Sequence, residues 1–132
     1  MQWQSLLQQV RYAGRYATDA EADRVLRAVL AVLGGQLGGA DRADLTRLLP
    51  REAATVLTGR TGRPLAARAF VEAVAARLSP MDRTQARWAA GTVLTVLAQH
   101  AGRPLTRRVL DGLPRGYALL FGQAELAPAT AA

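Results

Sequence analysis

The sequence contains no cysteine, no lysine and only one histidine, and these absences limit the kinds of site that it can form. Without cysteine the chain has neither disulfides nor thiol-based catalytic and metal centres. A single histidine, His100, excludes a histidine cluster. Aromatic residues make up 5% of the 132 residues whereas 50% are hydrophobic, so the core must consist mainly of leucine, valine and alanine. That composition favours helices packed closely on helices.

Long apolar runs are also missing from the sequence. The longest charge-free stretch, residues 88–102, is shorter than the roughly 20 residues that a membrane-spanning helix needs. The first residues, Met-Gln-Trp-Gln, lack the basic start of a secretory signal. We therefore expect a cytoplasmic protein without membrane contact. A chain of this length is expected to form one domain with a substantial core.

The charge of the chain is strongly positive and unevenly distributed. All seventeen basic residues are arginine, as is typical of a GC-rich genome, and the formal net charge is +7. Residues 1–59 carry seven arginines and six acidic residues, for a net charge of +1. Residues 60–132 carry ten arginines and four acidic residues, for a net charge of +6. The second half is therefore expected to attract anions.

The sequence resembles itself at an offset of 64 residues, which predicts an internal repeat. Residues 28–33 and 92–97 share one apolar pattern, and each lies in a predicted helix that is apolar around most of its circumference. The tripeptide Leu-Pro-Arg occurs at residues 49–51 and again, in the same frame, at residues 113–115. The matches fall at helix-core and helix-start positions, where a shared backbone would require them.

Hydrophobic residues spaced at i, i+3, i+4 and i+7 predict helices along the whole chain, with no convincing strand pattern. The predicted helices cover about residues 3–13, 18–33, 41–48, 50–59, 66–78, 80–100, 104–110 and 114–121. Thr18 and Glu21 are expected to form a capping box, and Asp41 to cap the third helix. Residues 79–80 and Pro114 are expected to begin helices in the second half, because proline is well tolerated at a first helical position.

These elements predict an all-α fold of two pseudo-symmetric four-helix repeats, about residues 3–59 and 67–123. The repeats are expected to pack as one compact helical domain over residues 1–124. Gly102 is expected to end the second long helix, and Pro104 to begin the next one. Residues 125–132 are small, polar or contain proline, and are expected to form a disordered tail.

The motifs resemble those of a known family. Residues 20–33 have the form Ala-Glu-Ala-x-x-x-Leu-x-Ala-Val-Leu-x-x-Leu, a short helix ending in Leu-Pro follows, and a similar arrangement occurs twice. In this the chain is similar to the bacterial domain of unknown function 2267, over about residues 3–122. The second copy departs from the pattern at residues 84–86 and 116–117. The resemblance implies a tandem helical fold, and it implies no reaction, cofactor or catalytic residue.

The residues with catalytic or metal-binding potential all have simpler interpretations. Asp19, Glu21 and Asp23 lie at a predicted helix start, where acidic side chains are favoured by capping and the helix dipole rather than by a cation. His100 lies near a predicted helix end and has no catalytic partner close in sequence. The glycine pairs within residues 34–39 lack the flanking strand and the lysine of a phosphate loop. We therefore predict no catalytic residue, cofactor or metal.

The arginines of the second half are the most suggestive charged feature. The arginines around Pro104 could place guanidinium groups beside free helix amides and so bind a phosphate. The candidate anion or nucleic-acid contacts are Arg103, Arg107, Arg108 and Arg115. A solvated basic face is the favoured interpretation, because a helix of residues 106–110 is too short to read bases well.

The repeat offset reveals an asymmetry at Trp88, which occupies the position of Arg24 in the first half. Together with Thr92, Thr95 and Gln99, Trp88 forms a weakly polar, uncharged stripe on one helix face. A large aromatic side chain at a position that its counterpart leaves to solvent either packs between the halves or contacts a partner. Packing between the halves is the favoured alternative.

Together these features favour a non-enzymatic helical interaction or regulatory module that binds a protein partner, possibly itself, through an apolar surface. The alternative is a nucleic-acid-associated protein that uses the arginine-rich second half. Any attraction to nucleic acid is expected to be weak and salt-sensitive.

Overall fold

The computed structural model describes residues 2–58 and 62–123, and these residues form seven α-helices and no strand. The helices are α1 (Trp3–Gly14), α2 (Asp19–Gly34), α3 (Gly39–Leu48), α4 (Arg51–Thr58), α5 (Ala67–Arg77), α6 (Arg83–Asp111) and α7 (Tyr117–Leu120). The all-α fold class expected from the sequence is therefore confirmed over these residues. The expected tail, residues 125–132, lies outside the described residues.

The two longest helices begin at side-chain caps. The Thr18 hydroxyl accepts a hydrogen bond from the Glu21 backbone N–H at 3.1 Å, but the Glu21 carboxylate accepts one from Ala17 rather than from Thr18. The first predicted capping box is therefore only half formed. A complete box begins α6, where Asp82 accepts from the Gln85 N–H at 2.8 Å and the Gln85 side chain accepts from the Asp82 N–H at 3.0 Å.

Three other predicted helix starts are wrong. The N-caps of α3, α6 and α7 are Gly38, Asp82 and Gly116, in place of Asp41, residues 79–80 and Pro114. Asp41 lies in the first turn of α3, where its carboxylate contacts α6 instead of a backbone amide. Gly116 has a φ of 97°, which glycine adopts readily, and this turn delays the start of α7 beyond Pro114.

Gly102 divides α6 into two helical segments, residues 83–101 and 103–111. Its φ of 82° and ψ of 165° are non-helical, so the chain turns there before Pro104 enters the second segment. Proline is accommodated because the amide that it lacks would be unpaired near a helix start. The expected break at Gly102 is thus confirmed.

The core is a single hydrophobic cluster to which all seven helices contribute. Leu30 in α2 and Leu94 in the first segment of α6 are both fully buried. Helix α2 packs against α5 and α6, and both α1 and α3 pack against α6, so helices from before and after residue 60 bury one another. Both long helices therefore lie at the centre of the core, as their apolar patterns predict.

An aromatic pair fixes α7 to the rest of the core. The rings of Phe70 and Tyr117 meet edge to face, with centroids 5.4 Å apart and planes at 75°. The Tyr117 hydroxyl donates a hydrogen bond to the Leu65 carbonyl at 2.8 Å, and burial raises the pKa of Tyr117 to about 12. The short α7 is thereby tied to both α5 and the segment before it.

We expect opposite effects from alanine at two helical glycines. A Cβ at Gly34 would lie 2.4 Å from the Leu57 carbonyl oxygen, so Gly34→Ala must push α4 away and should destabilise the protein by about 1–3 kcal/mol. A Cβ at Gly91 would lie 3.9 Å from the Leu120 carbonyl oxygen, which is ordinary van der Waals contact, so Gly91→Ala should stabilise by up to about 1 kcal/mol. Urea titration measures both, and equal effects would contradict this description of the α2–α4 contact.

Candidate functional site

An open groove of about 520 Å³ runs along the first segment of α6. Its lining includes the predicted partner-surface residues Trp88, Thr92, Thr95 and Gln99 from α6, together with Ala13 from α1 and Leu119 and Leu120 from α7. We call it the α6 groove. The stripe predicted from the repeat asymmetry therefore lies on one wall of a concave surface.

Trp88 is both anchored and exposed. Its indole Nε1–H donates a hydrogen bond to the Gly14 carbonyl at 3.0 Å, at the C-terminal end of α1, where backbone carbonyls lack helical partners. The side chain is nevertheless 54% exposed. The two alternatives drawn from the sequence are thus combined, since Trp88 contacts the first half and also presents surface to the α6 groove.

Leu119 is a groove residue that the sequence reasoning missed. It is 57% exposed and lies beside Leu120, which is buried. No sequence signal separates Leu119 from Leu120, because an apolar run in a four-residue helix does not show which side chain faces the core. Trp88 and Leu119 therefore both present a large, exposed apolar side chain to the same groove.

Tyr16 is a second residue near the groove that the sequence did not indicate as part of the site. Its hydroxyl is buried and has no hydrogen-bond partner among the described residues. Burial and the nearby Glu21 carboxylate raise the pKa of Tyr16 to about 12, and the neighbouring Thr92 hydroxyl acts in the opposite direction. The Tyr16 ring lies so close to Gly14 that a Cβ there would overlap it. Tyr16 thus packs the α1–α2 turn beneath the groove wall.

Two neighbouring depressions extend the groove at either side. One, of about 360 Å³, shares Arg87, Leu119 and Leu120 with it and also includes Arg68 and Arg83. The other, of about 730 Å³, shares Ala13 with it and includes Arg11, Arg15 and Tyr12. None of the described residues that line these three concavities is acidic. The groove therefore lies between two groups of arginines.

The four arginines predicted as anion contacts do not form one cluster. Arg103 and Arg107 line a separate depression of about 560 Å³, which Asp111 also lines. Arg115 is exposed and does not line this depression. Arg108 contacts Asp41 at 3.0 Å and Asp44 at 2.5 Å. These carboxylates already bind Arg108, so of the four predicted residues only Arg103 and Arg107 line one depression together.

The pairing of Arg108 predicts a pH-dependent stability. Its hydrogen bond lowers the pKa of Asp44, and a carboxyl group with a lowered folded-state pKa stabilises the protein above its unfolded-state pKa. That contribution is lost as pH falls through the folded-state pKa. Arg108→Gln should therefore lower Tm at pH 7, and the difference from the parent should shrink below about pH 4.

Thermal melts of the parent, Arg108→Gln and Arg107→Gln at pH 7 and at acidic pH measure this effect. Arg107 is the control, because it carries the same charge and forms no ion pair with a described residue. A Tm difference for Arg108→Gln that does not change with pH would contradict the assignment.

The remaining polar candidates have local partners. Asp19 accepts hydrogen bonds from Gln8 and Arg11. Both bonds lower the pKa of Asp19, and the bond from Gln8 has the larger effect. The His100 Nε2 lies 2.6 Å from the Gln9 Oε1, across the α1–α6 contact. Over the described ranges no group of three acidic or histidine side chains could hold a metal ion. No helix within those ranges is long and apolar enough to cross a membrane.

Comparison with protein-family models identifies a family to which the sequence is similar. The family model described as "Uncharacterized conserved protein (DUF2267)" matches residues 3–120, which is most of the chain. No curated protein matches the sequence of this chain.

Proposed function

The chain belongs to the DUF2267 family, and from that premise we propose that it is a non-enzymatic helical interaction module that binds a protein partner through the α6 groove. One observation carries the proposal: Trp88 and Leu119 are both more than half exposed and line the same concave surface. The proposal includes the bacterial origin that the family resemblance implies, and a cytoplasmic location.

Leaving this apolar surface in contact with water has a free-energy cost. Exposed apolar groups that cluster in a groove commonly mark interaction sites, whereas single exposed apolar residues do not. Tryptophan is also enriched among the residues that dominate binding energy at interfaces. The middle of the α6 wall, Thr92 and Thr95, carries no charge that a partner would have to desolvate. The groove is therefore suited to an apolar partner surface.

We further propose that the two halves are structural copies of one four-helix unit. Helices α1 (Trp3–Gly14) and α5 (Ala67–Arg77) begin 64 residues apart, and the side-chain N-caps Thr18 and Asp82 have the same offset. Each cap accepts a hydrogen bond from the backbone amide three residues on.

The helix ends support the same offset. Arg42 donates to the Gly34 carbonyl at 2.9 Å, and Thr106 donates to the Ala98 carbonyl at 3.4 Å. Donors and acceptors are each 64 positions apart, although the donor side chains differ. Different residues thus make the same tertiary contact, which is expected of diverged copies of one backbone.

Site-specific crosslinking tests the interaction proposal. A photoreactive phenylalanine analogue at position 119, expressed in the native host, should give a discrete crosslinked product that mass spectrometry identifies as one protein. The same analogue at position 48 is the matched control, because Leu48 is also exposed but lies on α3, outside the groove. The product should disappear in a Trp88→Arg background that circular dichroism shows to remain folded at the temperature of the experiment. Equal products at both positions, or none at position 119, would contradict the proposal.

The second candidate, nucleic-acid binding, is favoured by the net charge of +7 and by the adjacent Arg103 and Arg107. At about 0.15 M salt we expect affinity for mixed-sequence duplex DNA to fall to the non-specific range of about 10⁻⁴–10⁻⁶ M. Replacing both arginines with glutamine should lower the salt dependence without revealing any sequence preference. Tight binding of one sequence at that salt, abolished by the double change, would establish this function instead.

A further inference from the structure

We infer that the α6 groove binds an acidic amphipathic helix of another protein, with apolar residues facing the groove and carboxylates facing the flanking arginines. This inference rests on the proposed function and specifies the chemistry of the partner. It is carried by the juxtaposition of a largely apolar groove, in which Arg87 is the one charged residue of the described lining, with two adjoining groups of arginines and no acidic residue.

The length of the groove matches a short helix. From Trp88 to Gln99 the α6 wall spans twelve residues, and the eleven steps between them correspond to about 17 Å or three helical turns at 1.5 Å per residue. Gly91 lies within this wall and has no side chain, so a partner backbone can approach closely there. A helix that places bulky apolar residues at i, i+4 and i+7 fills such a groove between Trp88 and Leu119.

The charges around the groove favour an acidic partner. Arg87 on one side and Arg15 on the other form no ion pair with any described residue. Arg68 and Arg83 share a single carboxylate, Glu72, at 3.9 and 2.9 Å. Positive charge is therefore in excess at both sides, and a partner with carboxylates beside its apolar stripe would complement it.

The same charges disfavour a second copy of this chain. In a two-fold dimer through this groove each arginine group would face arginines of an identical, net positive molecule, which is repulsive. A nucleic-acid strand is disfavoured for a different reason. Along Thr92, Thr95 and Gln99 the α6 wall carries no cationic side chain to contact successive phosphates.

Three fluorescent 18-residue peptides and the full chain test the inference by anisotropy. The first has a leucine stripe at i, i+4, i+7 and i+11 on an alanine and glutamate background. The second keeps the leucines but replaces glutamate with lysine, and the third keeps glutamate but replaces leucine with serine. We expect the first peptide to bind at least about tenfold more tightly than either of the others.

Variants then place the peptide in the groove. Leu119→Ser should weaken binding of the first peptide by at least about tenfold. Arg87→Gln should weaken it less and reduce its salt dependence. Arg51→Gln removes the same charge from an exposed site on α4 that lines none of the three concavities, and should leave binding unchanged.

Each other outcome overturns the inference in a recognisable way. Equal or tighter binding of the lysine peptide would mean a partner of different charge, and the proposed function would stand. Equal binding of the serine peptide would mean that the groove is not the binding site. Failure of all three peptides while crosslinking at position 119 persists would mean a partner that is not helical. A concentration-dependent dimer abolished by Leu119→Ser would identify a second copy of this chain as the occupant of the groove. Displacement of the first peptide by single-stranded DNA, in a manner that depends on Trp88, would identify nucleic acid as the occupant.

Discussion

Residues 1–61 and 62–132, expressed as separate chains, should each fail to unfold cooperatively. Chains of about 60 to 70 residues have marginal cores even when their apolar surface is well covered. Here each half would lose its cover, because α2 packs on α5 and α6 while α1 and α3 pack on α6. Separation would therefore expose the apolar faces of both long helices to water.

Differential scanning calorimetry of each half and of an equimolar mixture measures this expectation. The intact chain, which should give one sharp transition, is the control. If both halves give sharp, independent transitions, the single core across residue 60 is not what stabilises them. Recovery of a transition only in the mixture would support the expectation.

Leu30→Ala and Leu94→Ala should each lower the free energy of unfolding by about 2–5 kcal/mol. Both side chains are fully buried in the two central helices, so truncation removes apolar contact and leaves a cavity that the neighbouring helices cannot easily fill. Leu48→Ala is the matched control, since Leu48 is 44% exposed. Beyond the small difference in helix propensity between leucine and alanine, this change should alter the free energy of unfolding by no more than about 0.5 kcal/mol.

Urea titration of the three variants gives these free energies. Losses below about 1 kcal/mol at both central positions would mean that neither long helix is buried. A large loss at only one of them would mean that the two helices are not equivalent, which would count against the proposed repeat.

Several features that depend on local sequence were predicted, although the local Asp82–Gln85 capping box and the turn at Gly116 were not. The starts and ends of α1 and α2 follow from hydrophobic periodicity, the Thr18 cap and glycine, and the break in α6 follows from Gly102 and Pro104. In each case the residues that determine the structure are within one or two turns of it.

Features that depend on distant partners were not predicted. Asp41 looks like an N-cap in the sequence, but its carboxylate binds Arg108, 67 residues away. That same contact removes Arg108 from the predicted anion surface. For the candidate site, the stripe from Trp88 was accessible from the repeat offset, whereas Leu119 on the adjacent helix was not. A groove has walls from several elements, and a periodic pattern reveals only one wall at a time.

The environments of the two tryptophans provide an intrinsic optical signal for the groove. Trp3 is not among the residues that line the α6 groove; its Nε1–H bonds to Asp23 at 3.2 Å, and the Arg27 guanidinium lies 4.7 Å from its ring centre. Trp88 is half exposed on the groove wall. In a Trp3→Phe chain all indole fluorescence therefore comes from the groove. An apolar segment that covers Trp88 would shift this emission to shorter wavelengths, so occupancy can be followed without labelling the protein or knowing its partner.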